Sequence, residues 1–266
     1  MTSRFRSVFD GEKTLIAMAH LPPLPGAPLY DAARGMDGIL QSLRRDLEIL
    51  LDADFDAVMF CNEGDRPYTL RADLAGVAAL TRAVSELRPA KVPFGVDYLW
   101  DSEAALSVAA VTGASFVREV VTGVYESDMG LWHPDAGRLL RRRRELCAES
   151  TLILMNVTPE FASPLGRRTV TEVARSAVVS SLADAILVSG SMAGSEPDMD
   201  TVRAAREGVD GTVPVLVNTG TNAGNIGRFL EIADGAIVGS GLKDNGNTWA
   251  PVSADRVNSY LRAAGR

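Results

Sequence analysis

The chain has 266 residues, 46% of them hydrophobic and 23% charged, with a formal net charge of −7 and two cysteines. That balance excludes a disordered chain, which would be poorer in apolar residues, and a disulfide scaffold, which is short and dense in cysteine. No stretch reaches the roughly 20 unbroken apolar residues of a membrane helix, and an acidic balance argues against a nucleic-acid surface, which shows as a basic stripe.

The opening Met-Thr-Ser-Arg-Phe-Arg is mildly basic. The apolar run after it is about five residues, short of a signal-peptide core, so a cytoplasmic protein with no membrane contact is expected. Short apolar, β-branched runs follow at 15–19, 57–60, 94–96, 116–121, 152–157, 185–188, 215–217 and 236–238. Between them lie helical spacings. Segment 37–51 puts Ile39, Leu40, Leu43, Leu47 and Leu50 on one face, and 71–87 does the same with Leu74, Val77, Ala78, Leu80 and Val84. Such alternation predicts a parallel sheet covered by helices, whose buried strands read as continuous apolar runs. Eight runs in a chain near the usual length of about 250 residues predict an α/β fold, a (β/α)8 TIM barrel. The segments 53–58, 182–187 and 233–238 repeat one grammar, as does 113–117: a helix ends, a small or acidic residue turns the chain, and a strand begins. No Pro/Ser/Gly-rich linker divides the sequence, so residues 1–266 read as one domain.

In this fold the loops after the strands carry the chemistry. His20 follows the first run and opens His20-Leu21-Pro22-Pro23-Leu24-Pro25-Gly26, a stiffened loop that would fix the imidazole, although the prolines alone also suit a polyproline ligand. Glu63 follows the second run and Asp97 the third; Arg118 and Glu119 lie within the fourth and Asn156 within the fifth. Charges inside buried strands are costly unless paired, so these six residues are the candidate catalytic set. Because neighbours on a strand point to opposite faces, at most one of Arg118 and Glu119 is expected to face the barrel interior. After the seventh run comes Asn218-Thr219-Gly220-Thr221, and after the eighth Gly239-Ser240-Gly241. Small residues let the backbone approach a ligand, and the final two loops are the usual phosphate position, though glycines also serve plain tight turns.

With two histidines, His20 and His133, and no close His/Cys cluster, no zinc site is expected. No cofactor is predicted; an oxygen-ligated magnesium at Glu63, Asp97 or Glu119 stays open. Cys61 and Cys147 read as plain residues. The run Arg141–Arg144 reads as a solvated helix face or a subunit contact, and a homo-oligomer is expected. Lys243 lies by the proposed phosphate loop. Trp100 and Trp132 fall in loops, where they either wall a ligand pocket or simply pack.

The sequence resembles the BtpA/SgcQ family. Ala17-Met18-Ala19-His20-Leu21-Pro22-Pro23-Leu24-Pro25-Gly26 is similar to its most distinctive segment, and the likeness continues through Val188-Ser189-Gly190, Asn218-Thr219-Gly220 and Ala233-Asp234-Gly235. The resemblance implies a TIM barrel of the ribulose-phosphate-binding type. With it, Ser189 and Gly190 join Asn218, Gly220, Thr221, Gly239 and Ser240 as expected phosphate contacts. Segments 56–63, 93–96 and 99–101, together with Arg118-Glu119 and Asn156, look closer to the SgcQ-like branch, which is associated with sugar metabolism. In place of the Asn-Phe-Gly-Asp and Lys-His segments of the BtpA-like branch stand Asn62-Glu63-Gly64-Asp65 and Glu160-Phe161. The expectation is an enzyme that works on a phosphorylated sugar or nucleoside-like small molecule by acid–base chemistry, as isomerase, lyase or glycosidase. The alternative is a non-catalytic factor with the photosystem I biogenesis role of the BtpA-like branch.

Overall fold

A computed structural model of the chain describes residues 3–266. The eight apolar runs are eight strands: β1 (Thr14–His20), β2 (Ala57–Cys61), β3 (Phe94–Asp97), β4 (Phe116–Val120), β5 (Leu152–Asn156), β6 (Ala185–Val188), β7 (Val215–Val217) and β8 (Gly235–Val238). All pair in parallel with their sequence neighbours, and β8 returns to β1, closing the barrel. Each strand is followed by a helix: α1 (Gly35–Leu51), α2 (Leu74–Leu87), α3 (Ser102–Thr112), α4 (Ala136–Glu145), α5 (Val170–Val179), α6 (Met199–Val209), α7 (Ile226–Leu230) and α8 (Ala254–Ala263). The expected TIM barrel is therefore the fold. Helix α2 begins three residues later than its periodicity suggests because the Asp73 carboxylate accepts the Gly76 N–H and sets the first turn. Among the described residues no helix is long and apolar enough to cross a membrane.

Alternation along each strand sorts the core into two. Outward residues such as Ala17, Val58, Phe60, Val96 and Ile153 pack under the helices. Inward residues, including Ile16, Met59, Phe116, Leu154, Leu187, Leu216 and Ile237, fill the barrel. The short helix Ser3–Arg6 closes the lower end: Phe5 stacks on Phe9 with ring centroids 4.7 Å apart, and Phe9 meets Phe116 edge-on at 5.4 Å.

The repeated segment before β2, β6 and β8 is a clamp at that lower end. The backbone N–H groups of Asp56, Asp184 and Asp234 donate to the carbonyls of Leu15, Ile153 and Val215. The N–H groups of those same three residues donate back to the aspartate carboxylates at 2.6, 2.9 and 3.0 Å. An arginine closes each clamp from outside: Arg266 on Asp56, Arg4 and Arg143 on Asp184, and Arg206 on Asp234. At the corresponding place before β4 stands Ser115, which keeps only the backbone half of the pattern.

One element lay outside the sequence reading. The loops after β4 and β5 contribute a three-stranded antiparallel sheet, Gly130–Trp132, Tyr125–Ser127 and Ala162–Pro164, on the same side as the strand C-termini.

Asp184, whose side chain is only 5% exposed, makes the most buried clamp. Asp184→Ala is expected to cost about 2–3 kcal/mol in urea unfolding, the range for a charge-assisted buried hydrogen bond. Asp56→Ala, at 23% side-chain exposure, should cost well under half as much. Equal losses would show that burial does not set the weight of the clamp.

Candidate active site at the barrel mouth

Following the inward positions upward, each strand ends on a polar or small residue: His20, Cys61, Asp97, Arg118, Asn156, then Ser189, Asn218 and Gly239 just beyond β6, β7 and β8. The apolar layers below exclude water, so these groups must satisfy one another. Arg118 is the hub. Its Nε donates to Asp97 Oδ2 at 3.0 Å and its Nη1 to Asn218 Oδ1 at 2.9 Å, with Glu119 Oε1 at 3.2 Å. Asn218 Nδ2 donates to Glu119 Oε1 at 2.5 Å and to Ser189 Oγ at 2.9 Å. Asn156 Nδ2 reaches Glu119 Oε2, Glu160 Oε2 and Ser189 Oγ between 2.8 and 3.1 Å. The Cys61 thiol lies 3.6 Å from Asp97 Oδ2.

The expectation that only one of Arg118 and Glu119 faces inward is corrected. Both side chains enter this network, because β4 carries a bulge. Its register with β5 shifts between Val117 and Val120, and Glu119 takes the left-handed backbone at φ 54°. The extra residue breaks the two-residue alternation and turns two neighbours to one side.

Above the network opens a narrow cleft. Glu63, His20, Arg118, Asn218 and Glu160 line it, as do Tyr68, Trp100 and Phe161 on one wall and Gly194, Gly220, Gly239 and Ser240 elsewhere. Glu63 Oε1 accepts the Tyr68 hydroxyl at 3.0 Å, and its Oε2 lies 3.7 Å from His20 Nε2. The loop after His20 is tied to the loop after β2: Gly64 N–H donates to Leu21 O, and Leu24 N–H to Asp65 Oδ1 at 2.7 Å. On the other side of the ring, Nδ1 is 3.4 Å from the Thr248 carbonyl. A carbonyl only accepts, so the ring proton belongs on Nδ1 and Nε2 keeps its lone pair.

The candidate phosphate residues divide. Gly220, Gly239 and Ser240 line the cleft. Packing also accounts for the two glycines: a Cβ on Gly220 would overlap the Ser195–Glu196 backbone, and one on Gly239 would come within 2.8 Å of His20 Cε1. Ser189 and Asn218 spend their side chains in the network. Gly190 N–H donates to Thr219 Oγ1, and Thr221 Oγ1 pairs with the Tyr260 hydroxyl away from the mouth. Lys243 does not attend the loop; it is buried, with its Nζ 2.9 Å from Asp46 of α1. Glu160 was missed as a site residue. Its signal was its place, four residues beyond Asn156, but only the left-handed backbone of Phe161 beside it, φ 56°, reveals how the loop turns. Among the described residues no group of three or more His, Cys, Asp or Glu side chains is arranged to hold a metal ion.

Asp97, Glu63 and Glu160 are buried around one guanidinium, and each holds its proton more strongly than a free carboxyl. Burial, with Glu119 and Glu63 nearby, pushes Asp97 up to about 7 despite Arg118. Burial also raises Glu63, and burial with the neighbouring Glu119 raises Glu160 well above the carboxylate range. Burial, then Lys243, lowers His20 well below its ordinary value, so the imidazole is neutral. A carboxyl whose native pKa is raised contributes stability that is complete below the unfolded value of about 3.9 and lost as pH rises through the native value. The Asp97 contribution should therefore fall between pH 4 and 7, by on the order of a few kcal/mol, against a rise from His20, which is kept neutral in the fold and must charge on unfolding below its ordinary value. Asp97→Asn should remove that fall from the urea-unfolding stability; an unchanged slope would assign the titration elsewhere.

The chain is 37% identical over 260 residues to the sgc region protein SgcQ of Escherichia coli (strain K12), spanning 97% of each chain. It is 33% identical over 259 residues to the photosystem I biogenesis protein BtpA of Synechocystis sp., covering 96% of this chain and 89% of that one. N-(5'-phosphoribosyl)anthranilate isomerase from Pyrococcus furiosus superposes with a TM-score of 0.57 at 14% identity, covering 95% of this chain and 98% of that one, which is a likeness of fold. The BtpA family pattern matches residues 11–266. By that match and those relatives, the chain belongs to the BtpA family.

Proposed function

We propose that this protein is an enzyme that binds a phosphorylated sugar or nucleoside-like compound in the barrel mouth and moves a proton within it. One observation carries the reading: Glu63, a carboxyl whose hold on a proton burial strengthens, stands 3.7 Å from the imidazole of His20, whose hold burial weakens, inside a cleft. Two groups whose surroundings push their affinities for a proton apart divide naturally into acid and base. Glu63 would give a proton to a substrate oxygen, and His20 Nε2 would accept one from a carbon or hydroxyl. Arg118 and Asn218, at the cleft floor, would stabilise the oxygen on which negative charge develops. Asp97 and Glu119 hold that guanidinium in place and act through it. Isomerisation, aldol-type cleavage and glycosidic cleavage all begin from such a transfer.

The phosphate would sit toward Gly194, Gly220, Gly239 and Ser240, where the lining has little side-chain bulk. These loops follow β6, β7 and β8, and the last two are the usual anion position of the barrel.

A thermal-denaturation screen of sugar phosphates, nucleosides and nucleotides, with and without magnesium, tests the reading. A true ligand at 100 times its Kd adds about 2.7 kcal/mol of stability. Ser240→Asp should abolish the response to the phosphorylated compound and spare its unphosphorylated analogue. A flat response across all compounds would leave the mouth as the polar core of a scaffold. With the responding compound, Glu63→Gln is expected to retain binding while turnover falls by at least about 100-fold, the usual weight of a general acid. Full turnover would remove Glu63 from the chemistry.

A further inference from the structure

Trp249 is the one aromatic side chain among the exposed large hydrophobics of the described residues, at 50% exposure. It sits on a short excursion, residues 244–251, whose two ends are tied together. Lys243 and Val252 pair as an antiparallel bridge, and Asp244 N–H donates to the Pro251 carbonyl. One buried carboxylate pins that base to α1. Asp46 Oδ2 accepts from the Lys243 ammonium at 2.9 Å, and its Oδ1 accepts the Val252 N–H at 3.3 Å. The tip is a tight turn: Trp249 N–H donates to Asn247 Oδ1 at 3.1 Å, and Ala250 N–H to the Asn247 carbonyl.

This tip meets the loop after β2 in two places. The Arg66 guanidinium lies over the Trp249 ring, 3.5 Å from its centre, and Trp249 Nε1 donates to the Glu63 carbonyl at 3.4 Å. Arg66 Nε is buried with no hydrogen-bond partner among the described residues, which leaves the indole face as the contact of that planar cation. Thr248, the residue before Trp249, is buried, lines the cleft and turns its carbonyl to His20 Nδ1. Trp249 itself stands outside the cleft lining.

We infer that Trp249 is a positioning residue: clasped between Arg66 and the Glu63 carbonyl, it holds the Thr248 carbonyl at His20 Nδ1 and so keeps the ring proton off Nε2, the nitrogen nearer Glu63. The inference rests on the reading of His20 as the base, and it adds to that site a residue that acts through another. A neutral imidazole carries one ring proton, and the acceptors around it decide which nitrogen has it. Glu63 Oε2, 3.7 Å from Nε2, accepts when ionised and donates when protonated, so it does not settle the matter alone. The Thr248 carbonyl only accepts. At 3.4 Å its contact is long, and it persists only while the carbonyl is held in place. Release of the tip lets the proton pass to Nε2, which then has no lone pair with which to act as a base.

Two-bond proton–nitrogen spectra of nitrogen-labelled protein, recorded at about pH 8, above the ordinary histidine value, test this with no ligand present. The chain has two histidines, and His133→Gln assigns the other. Wild-type His20 is expected as the Nδ1–H tautomer. Trp249→Ala, which removes both clasp contacts, should raise the Nε2–H fraction about fivefold, the weight of one hydrogen bond. Wild-type His20 in the Nε2–H form, or a fraction unmoved in Trp249→Ala, overturns the inference and leaves the proton-transfer reading to its own screen. Should Trp249→Ala fail to fold, Arg66→Met opens the clasp from its other side and should raise the fraction about twofold or more; an unmoved fraction there is equally decisive against it. An empty ligand screen overturns the proton-transfer reading instead, and the positioning role falls with it.

Discussion

Arg118 lies 95% buried between Asp97 and Glu119, with Glu63 and Glu160 close enough to feel its charge. A lone buried cation would be intolerable, and four lone carboxylates more so. Together they leave a negative excess that the interior can hold only by keeping protons. The arrangement of the mouth follows from that one imbalance. Asn156, Asn218 and Ser189 are spent on bridging the acids, Asp97 is carried toward neutrality, and Glu63, raised by burial, faces the cleft.

The barrel separates two tasks along each strand. At the lower end Asp56, Asp184 and Asp234 fix strand pairs through a two-way exchange of hydrogen bonds. At the upper end the last inward residue of each strand faces the cleft or its floor. Apolar layers such as Met59, Leu154 and Leu216 stand between, and no residue serves both ends. Strand clamping and the polar mouth are therefore built from different residues of the same strands.

Much of this was legible in the sequence. Eight apolar runs gave the strand count, and polar residues at their ends marked His20, Asp97, Arg118 and Asn156, because burial makes a strand-end charge conspicuous. The repeated segment before β2, β6 and β8 was visible as a pattern, although its reciprocal bonding was not. What escaped had no local signature. The three-residue strands at Tyr125–Ser127, Gly130–Trp132 and Ala162–Pro164 are too short for periodicity to register. Lys243 finds Asp46 across 197 positions, a distance no local pattern spans. The bulge at Glu119 overrode the alternation rule because its cause is a backbone angle that an ordinary Glu gives no reason to expect.

That bulge bears on how such a barrel can change its chemistry. Pairing fixes eight strands around a closed ring, so no strand can slide without disturbing both neighbours. A single unpaired residue near the top of β4 escapes this constraint. It adds a second charge to the interior from the same strand while the register below Val117 stays intact. The strand that bears it is also the one whose lower end is held by Ser115 rather than by an aspartate clamp. Within this frame, the charge of the cavity can be reset by the length of one strand and not only by the identity of its residues.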